Sequence, residues 1–287
     1  MHLPLISIIT STFNSDKTLL DTIDSILNQT YKNIEYIVVD GNSTDKTVEI
    51  LKSVEHKFKE KEISFNWISE PDKGIYDAWN KALNLVTGEW IAFIGSDDYF
   101  KNKNVFSETI PYLKKAVKES CNYVYGVTEH IDKEDKLIEV SGKPWDVQKE
   151  RFPYTMNLPH SGCFHHKKLF LKHGFYNDSF KIVGDYEFLL RELKDKNNKA
   201  YFVDKVFTVM REGGVSASLD NRLIVIKENH KARKLNNIST FSKELFFWEI
   251  RVRGIFIIMK IFGNKSAAKL ADSYRKIVLR KQKRWSV

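Results

Sequence analysis

The stretch Glu89-Trp90-Ile91-Ala92-Phe93-Ile94-Gly95-Ser96-Asp97-Asp98 carries an apolar strand that stops abruptly at two adjacent carboxylates. Such a strand places both acids at its C-terminal tip, where an open α/β sheet binds its ligands. A pair of carboxylates there suits a metal ion or a sugar. Taken alone, Asp-Asp after a strand is also an ordinary turn that caps a helix, so the rest of the chain must decide.

Upstream, Leu5-Ile6-Ser7-Ile8-Ile9-Thr10-Ser11-Thr12-Phe13-Asn14 reads as a β-branched strand running into small hydroxyl residues, and Lys17 to Gln29 as an amphipathic helix. The run Ile34 to Val39 predicts a second strand, ending in Asp40-Gly41-Asn42-Ser43-Thr44-Asp45, where Ser43 or Thr44 can cap the next helix. A third strand is expected near Ile63 to Ile68, then Ser69-Glu70-Pro71-Asp72-Lys73-Gly74 and a helix from Ile75 to Leu85. Strand and helix alternate at the βαβ period, which predicts an α/β fold with a mostly parallel central sheet flanked by helices. Three strand ends then deliver Ser11/Thr12, Asp40 and Asp97/Asp98 to one rim, a place that fits a nucleotide.

These motifs, with Gly184-Asp185-Tyr186-Glu187 further on, stand in the order of the family 2 inverting glycosyltransferases of the GT-A fold, which the chain resembles over roughly residues 5 to 216. The resemblance implies that Thr10, Ser11 and Thr12 line a base pocket and that Asp40 accepts from the imide N–H of uracil. It places Asn14, Asp72 and Lys73 beside the nucleotide, Asp97 against the ribose, and Asp98 on a divalent metal, Mn²⁺ or Mg²⁺. The family signature is usually Asp-x-Asp; Ser96 stands at its first position here, which leaves Asp98 as the main metal carboxylate.

The chemistry calls for these residue types. A departing nucleoside diphosphate gathers negative charge, which a hard cation with oxygen ligands neutralises; Lys73 offers a second positive charge, although a solvated lysine on a turn reads equally well. The acceptor hydroxyl needs a base, and Asp185 stands where the inverting members of the family carry their catalytic Asp. From position alone it is an N-capping residue of the helix Asp185 to Arg191. The resemblance makes it the base.

Between these points the chain is less regular, with strands expected near Asn122 to Thr128 and Leu137 to Ser141. Pro159-His160-Ser161-Gly162-Cys163-Phe164-His165-His166 crowds three histidines without the soft ligands and spacing of a zinc cage. His160 is expected to shape the acceptor or diphosphate pocket, with His165 and His166 as strand-end residues. Glu187 is a further acceptor-side candidate. Tyr201–Val203 and Val206–Met210 read as closing strands, followed by Arg211-Glu212-Gly213-Gly214-Val215-Ser216, where paired glycines suit a loop that folds over the donor. Arg211, Gly213, Gly214 and Ser216 are the candidate contacts in it.

The 287 residues, 42% of them apolar, are ample for one catalytic domain and an appendage. From Arg222 onward there are 17 Lys/Arg against 4 Asp/Glu, a net +13 in a chain whose total is +9. The expected division is a GT-A catalytic domain over 1–218, with a nucleotide-sugar half 1–98 and an acceptor half 99–218, and a basic amphipathic helical tail over 219–287. In the tail, Phe241, Leu245, Trp248, Val252, Ile255, Met259 and Phe262 recur at spacings of four and three, while Arg251, Arg253 and Lys260 leave no apolar run long enough to span a bilayer. A second helix is expected over roughly Lys265 to Arg284. Basic residues interleaved with Trp and Phe suit a peripheral helix on anionic lipid, beside a lipid-linked acceptor; a hairpin packed on the catalytic domain or on a second subunit, giving a homodimer, is the competing reading.

Gln282-Lys283-Arg284-Trp285 has one residue too few to match the Gln-x-x-Arg-Trp motif of processive polysaccharide synthases, which favours single-sugar transfer. Cys121 and Cys163 show no metal, redox or disulfide spacing. The first strand begins almost at Met1 with no signal peptide, so a cytoplasmic enzyme, peripheral on the inner face of the cell membrane, is expected. Two other classes fit the sequence less well. A nucleotidyltransferase would carry a Gly-rich, basic phosphate loop after the first strand, where Ser11-Thr12-Phe13-Asn14 stands instead. A nucleic-acid-binding protein would need more than a charge cluster, and no helix-turn-helix, zinc or RNA-platform motif is present.

The sequence therefore predicts a transferase that moves one sugar from a nucleotide-sugar donor, expected to be UDP-linked, to a glycan or lipid-linked oligosaccharide acceptor in cell-surface polysaccharide or lipopolysaccharide biosynthesis.

Overall fold

The computed structural model describes residues 3–213, 221–238 and 242–262, with Lys269, Asp272 and Ser273. Four parallel strands form one half of its sheet: β1 (Ile6–Thr12) lies between β2 (Ile34–Asp40) and β4 (Trp90–Phe93), and β3 (Ser64–Ser69) is outside β2. In register, Thr12 stands opposite Asp40 and Asp40 opposite Ser69. The strand ends expected to share a rim therefore do.

Beyond β4 the sheet changes character. The short β8 (Phe164–His166) runs antiparallel to β4 and to β6 (Tyr123–Ile131); β6 pairs in parallel with β9 (Tyr201–Arg211) and antiparallel with β7 (Leu137–Ser141), and the two-residue β5 (Tyr99–Phe100) closes the far side on β9. The two closing strands read from the sequence are one strand, β9. Its pairing with β6 slips around Tyr125–Val127, where Gly126 lies under the Phe207 ring so closely that a Cβ would stand 2.6 Å from it.

Both faces of β1, β2 and β4 are buried, which is why these strands read as nearly unbroken apolar runs, while β3 at the edge is partly exposed. Alternate residues feed two cores. Ile6, Ile8, Tyr36 and Val38 face α1 (Leu19–Leu27), α2 (Thr47–Glu60) and α4 (Val105–Lys118), while Ile9, Ile37 and Phe93 face α3 (Ile75–Leu83), α6 (Lys167–His173) and α7 (Gly184–Leu193). A short α5 (Trp145–Gln148) adds Trp145 to the second core.

Past the expected boundary at 218, α8 (Arg222–Leu235) packs on α7, burying Ile226, Glu228, Asn229, Ala232 and Arg233. Helix α9 (Lys243–Phe262) rests on α8 through Leu245 and Val252, with His230 Nε2 2.7 Å from Glu249 Oε1. Phe246, Phe247, Ile250, Ile257 and Ile261 of α9 are exposed. Phe241, the side chains of Ile255, Met259 and Phe262, and nearly all of the second tail helix lie outside the described residues. No helix among the described residues is long and apolar enough to cross a membrane.

Candidate functional site

The nucleotide-side rim is built where β1 and β2 end. Asp40 is fully buried, and its carboxylate accepts from Ser43 N at 3.0 Å, from Ser69 Oγ at 2.6 Å and from Ser43 Oγ. Asn14 bridges the two loops: its Oδ1 accepts from Thr44 N at 2.9 Å, and its own N–H donates to Ser43 Oγ at 2.8 Å. Asn14 and Asn42 both hold positive φ, 49° and 65°, conformations that asparagine tolerates better than most side chains. Thr10 and Thr12 are buried, Ser11 partly so, and Thr12 Oγ1 has no hydrogen-bond partner among the described residues.

Two neighbours complete this rim. Phe13 is 63% exposed, an aromatic ring left in the open at a strand tip beside a buried carboxylate. A Cβ on Gly41 would stand 2.7 Å from Asp72 Oδ2 and 3.5 Å from the Phe13 ring, so Phe13, Gly41 and Asp72 converge. Asp72 Oδ1 accepts from Gly74 N at 2.8 Å, and Lys73 is exposed on the same turn. Phe13 was not singled out from the sequence, although its place between Thr12 and Asn14 was the available signal.

The Asp97/Asp98 tip is gripped from four elements. Thr22 of α1 donates to the Asp98 carbonyl at 2.6 Å; Ser161, before β8, donates to Asp98 Oδ2 at 2.7 Å; Arg211, at the end of β9, donates to the Asp97 carbonyl at 3.1 Å; and Ser15 Oγ lies 2.9 Å from Ser96 Oγ. Gly95 lies close beneath both acids: a Cβ there would come within 2.8 Å of Asp97 Oδ1 and 3.0 Å of Asp98 Oδ2. Burial, reinforced by the adjacent Asp97 charge, pushes Asp98 up to about 7, and burial raises Asp97 as well. Arg211 also pairs with Asp21 at 2.6 Å and lies over the Tyr99 ring, so it ties the tip to α1. Gly213 is described, with φ 112°. Gly214 and Ser216 lie outside the described residues.

Asp185 sits in the first turn of α7, but the residue at the cap position is Val183. Its Oδ1 accepts from Tyr186 N at 2.8 Å and from Tyr76 OH at 3.3 Å, and burial pushes its carboxyl up to about 6. Tyr76 of α3 reaches it because Gly184 carries no side chain; a Cβ there would stand 2.8 Å from the Tyr76 ring. Glu187 is turned away into an ion pair with Arg191 at 2.5 Å and accepts from Asn236 at 3.3 Å.

One aromatic wall joins the two acidic regions. His160, next to Ser161, stacks on Trp79 at 5.1 Å and meets Tyr176 OH at 3.2 Å; Tyr176 lies 5.7 Å from Tyr76, which bonds Asp185. Burial in this wall, with His165 alongside, holds His160 neutral, well below its ordinary value. His165 and His166 belong to β8, and His166 Nδ1 accepts from Lys168 N at the start of α6. Ser161 and Tyr76, both in contact with the acids, were not singled out from sequence. Tyr76 was signalled only by its place at the start of the helix expected after Ser69–Gly74.

Against known proteins, residues 7–176 match the model of glycosyl transferase family 2. A PGL/p-HBAD biosynthesis glycosyltransferase of Mycobacterium tuberculosis is 29% identical over 193 residues, 67% of this chain and 70% of that protein. Chondroitin synthase of Escherichia coli is 32% identical over 191 residues, 66% of this chain but 26% of that longer protein. Among solved structures, S. aureus TarS 1-349 in complex with UDP-GlcNAc superposes with a TM-score of 0.60 at 16% identity, covering 95% of this chain and 73% of that one. Full-length TarS, with a TM-score of 0.58 at 15% identity over 95% of this chain, is matched over 44% of its length. The mannosyltransferase PcManGT of Pyrobaculum calidifontis, in complex with GDP-Man and Mn²⁺, also gives 0.60, at 14% identity, over 95% of this chain and 76% of that one. These likenesses establish the GT-A fold, and with the family match over more than half its length the chain belongs to glycosyl transferase family 2 and is a glycosyltransferase.

Proposed function

We propose that the chain transfers a single sugar, with inversion, from a UDP-linked donor to a glycan or lipid-linked oligosaccharide acceptor in cell-surface polysaccharide assembly, and that it uses Mn²⁺ or Mg²⁺. The observation that carries this reading is Asp185: a carboxyl pushed up to about 6, held by Tyr76 and connected through one aromatic wall to the Asp98 tip. A general base serves best with a pKa near the working pH.

On the donor side, Asp40 receives the uracil imide N–H, Thr10, Ser11 and Thr12 line the base pocket, and Phe13 lies against the base. Asn14, Asp72, Lys73 and Asp97 complete the nucleotide contacts. UDP and UDP-GlcNAc complexes of TarS support the choice of base. The tip fits a hard divalent cation, because burial raises both adjacent carboxylates, the Asp97 charge raises Asp98 further, and among the described residues Arg211 is the countercharge that acts on them. Among the described residues no group of three or more His, Cys, Asp or Glu could hold a metal ion; in this reading the ion is held by one or two carboxylates and by the phosphate oxygens of the donor. Asp98, with Asp97 beside it, would hold the ion, which when bound neutralises charge on the leaving diphosphate.

Asp185 takes the acceptor hydroxyl proton as that oxygen attacks the anomeric carbon from the face opposite the diphosphate. His160, held neutral, forms the wall of the acceptor pocket, and Glu187 orients Arg191 behind it. Arg211, Gly213, Gly214 and Ser216 are further donor-side contacts in this reading. The tail, 219–287, rests on an anionic membrane surface; exposed Phe246, Phe247, Ile250, Ile257 and Ile261 among Lys243, Arg251 and Arg253 support this.

The test is a panel of UDP-, GDP- and dTDP-sugars with Mn²⁺, Mg²⁺ or chelator, scoring released nucleoside diphosphate, with NMR of the transferred sugar. Turnover of a UDP-sugar that stops with chelator, and a product of inverted anomeric configuration, are expected. Retention would refute direct displacement with Asp185 as base.

A further inference from the structure

Glu228 lies in α8, on the tail side of the sequence, where no motif marks it. It is buried, 8% exposed, and its carboxylate accepts three consecutive backbone N–H groups: Lys181 at 2.7 Å, Ile182 at 2.9 Å and Val183 at 2.9 Å. These amides end where α7 begins, and the Val183 cap position offers no side-chain capping bond of its own. A carboxylate here satisfies donors that the helix start leaves open and meets the positive end of its dipole.

The same segment is held from the other side. Tyr76 OH donates to the Ile182 carbonyl at 2.7 Å and reaches Asp185 Oδ1 at 3.3 Å. Ile182 is thus clamped through both peptide groups, its N–H by Glu228 and its C=O by Tyr76. Three residues beyond that clamp the chain has turned into α7 and presents Asp185.

We propose that Glu228 is a positioning residue for Asp185: its grip on the amides of Lys181, Ile182 and Val183 fixes the strap that enters α7 and so aims the Asp185 carboxylate. The inference rests on the reading of Asp185 as general base. Misplacement of a reacting group by about 1 Å can cost about a hundredfold in rate, and three charge-assisted hydrogen bonds on consecutive residues are a direct way to prevent it.

The charged surroundings make the role measurable. Asp185 faces Tyr76 of α3, Tyr176 before α7 and Tyr123 of β6, phenols that are themselves raised by burial and by its charge. On its own helix Glu187 is paired with Arg191, and from α8 the Glu228 charge adds to the burial that raises Asp185. Removing that charge in Glu228→Gln, which keeps the side-chain volume and so the burial, therefore moves the acid limb of the rate profile to lower pH.

The experiment compares full-length wild type, Glu228→Gln, Glu228→Ala and Asp185→Asn in hydrolysis of the UDP-sugar turned over in the panel, with UDP affinity by calorimetry and amide hydrogen exchange read at residues 181–183. Expected for Glu228→Ala is a kcat lower by about tenfold to a hundredfold with donor KM and UDP affinity unchanged. Glu228→Gln keeps one acceptor oxygen, loses less, and has its acid limb displaced downward. Exchange at Lys181, Ile182 and Val183 accelerates in both, while the α7 interior stays protected. Unchanged protection of those three amides, or an unchanged kcat and acid limb, overturns the inference. Should Glu228→Ala fail to fold, Glu228→Gln decides. If Asp185→Asn keeps wild-type kcat, the general-base reading has failed, and the exchange data still judge the Glu228 grip separately.

Discussion

Replacing Tyr76 with Phe removes one hydroxyl and keeps the ring that fills the space over Gly184. That hydroxyl has a single proton, which it shares between the Ile182 carbonyl at 2.7 Å and Asp185 Oδ1 at 3.3 Å. A hydrogen bond to an ionised group is worth about 1.5–3 kcal/mol, and a long, shared one about half of that or less, ~0.7–1.4 kcal/mol. Since one pKa unit corresponds to ~1.36 kcal/mol, losing the bond raises Asp185 by about half to one unit above its value of about 6. The base must be ionised to act, so the rate rises with pH through this value. At pH 6 Tyr76→Phe is therefore slower than wild type by about twofold to fivefold, and near pH 8 the two converge. The assay is UDP release at saturating donor and divalent cation from pH 5 to 8, with Asp185→Asn as the variant that should lose the limb altogether. A limb that stays in place in Tyr76→Phe, or moves toward acid, would show that the hydroxyl does not stabilise ionised Asp185. The same raised pKa has a stability counterpart. Its contribution to folding is present below the ordinary carboxylate value of 3.8 and is lost as pH rises through about 6, so Asp185→Asn should raise Tm above pH 7 and do little at pH 4.

Three further outcomes are expected. Asp98→Asn should stay folded, since its carboxylate touches Ser161 rather than the apolar core, yet lose most cation-dependent turnover, as wild type does with chelator; full activity of the variant under chelator would remove the metal assignment. Asp40→Asn should weaken UDP binding by about 1.5–3 kcal/mol in calorimetry if Asp40 holds the imide, and unchanged affinity would return Asp40 to holding Ser43 and Ser69 only. Full-length protein should bind acidic vesicles in a salt-sensitive way and neutral ones far less, at about 1 kcal/mol per engaged Lys or Arg; a chain that ignores acidic vesicles at low salt and turns from dimer to monomer when cut after Ser239 has an oligomerisation element there instead.

Local pattern carried the nucleotide half of the protein. The runs around Ile6–Thr12, Ile34–Asp40 and Trp90–Phe93 are apolar because both faces of a parallel strand are buried, and the residue where such a run stops is at the sheet rim, which places Thr12 and Asp40 from the sequence; β4 stops at Phe93, and Asp97 and Asp98 follow in the turn before β5. Asp185 could be placed too, though only as the start of a helix. The second half of the sheet was harder, because β9 is one strand that runs through a register shift against β6 at Tyr125–Thr128, and an irregularity that depends on a partner strand leaves no periodic trace in its own sequence. What only the tertiary structure decided is the environment of each acid. Tyr76 over Asp185, Ser161 on Asp98, Arg211 between Asp21 and Asp97, and Glu228 under the Lys181–Val183 amides all join residues far apart in the chain. A strand announces itself through neighbours two residues away. A pKa and an aimed carboxylate are set by whatever folding brings within a few ångströms, and no spacing along the chain encodes that distance.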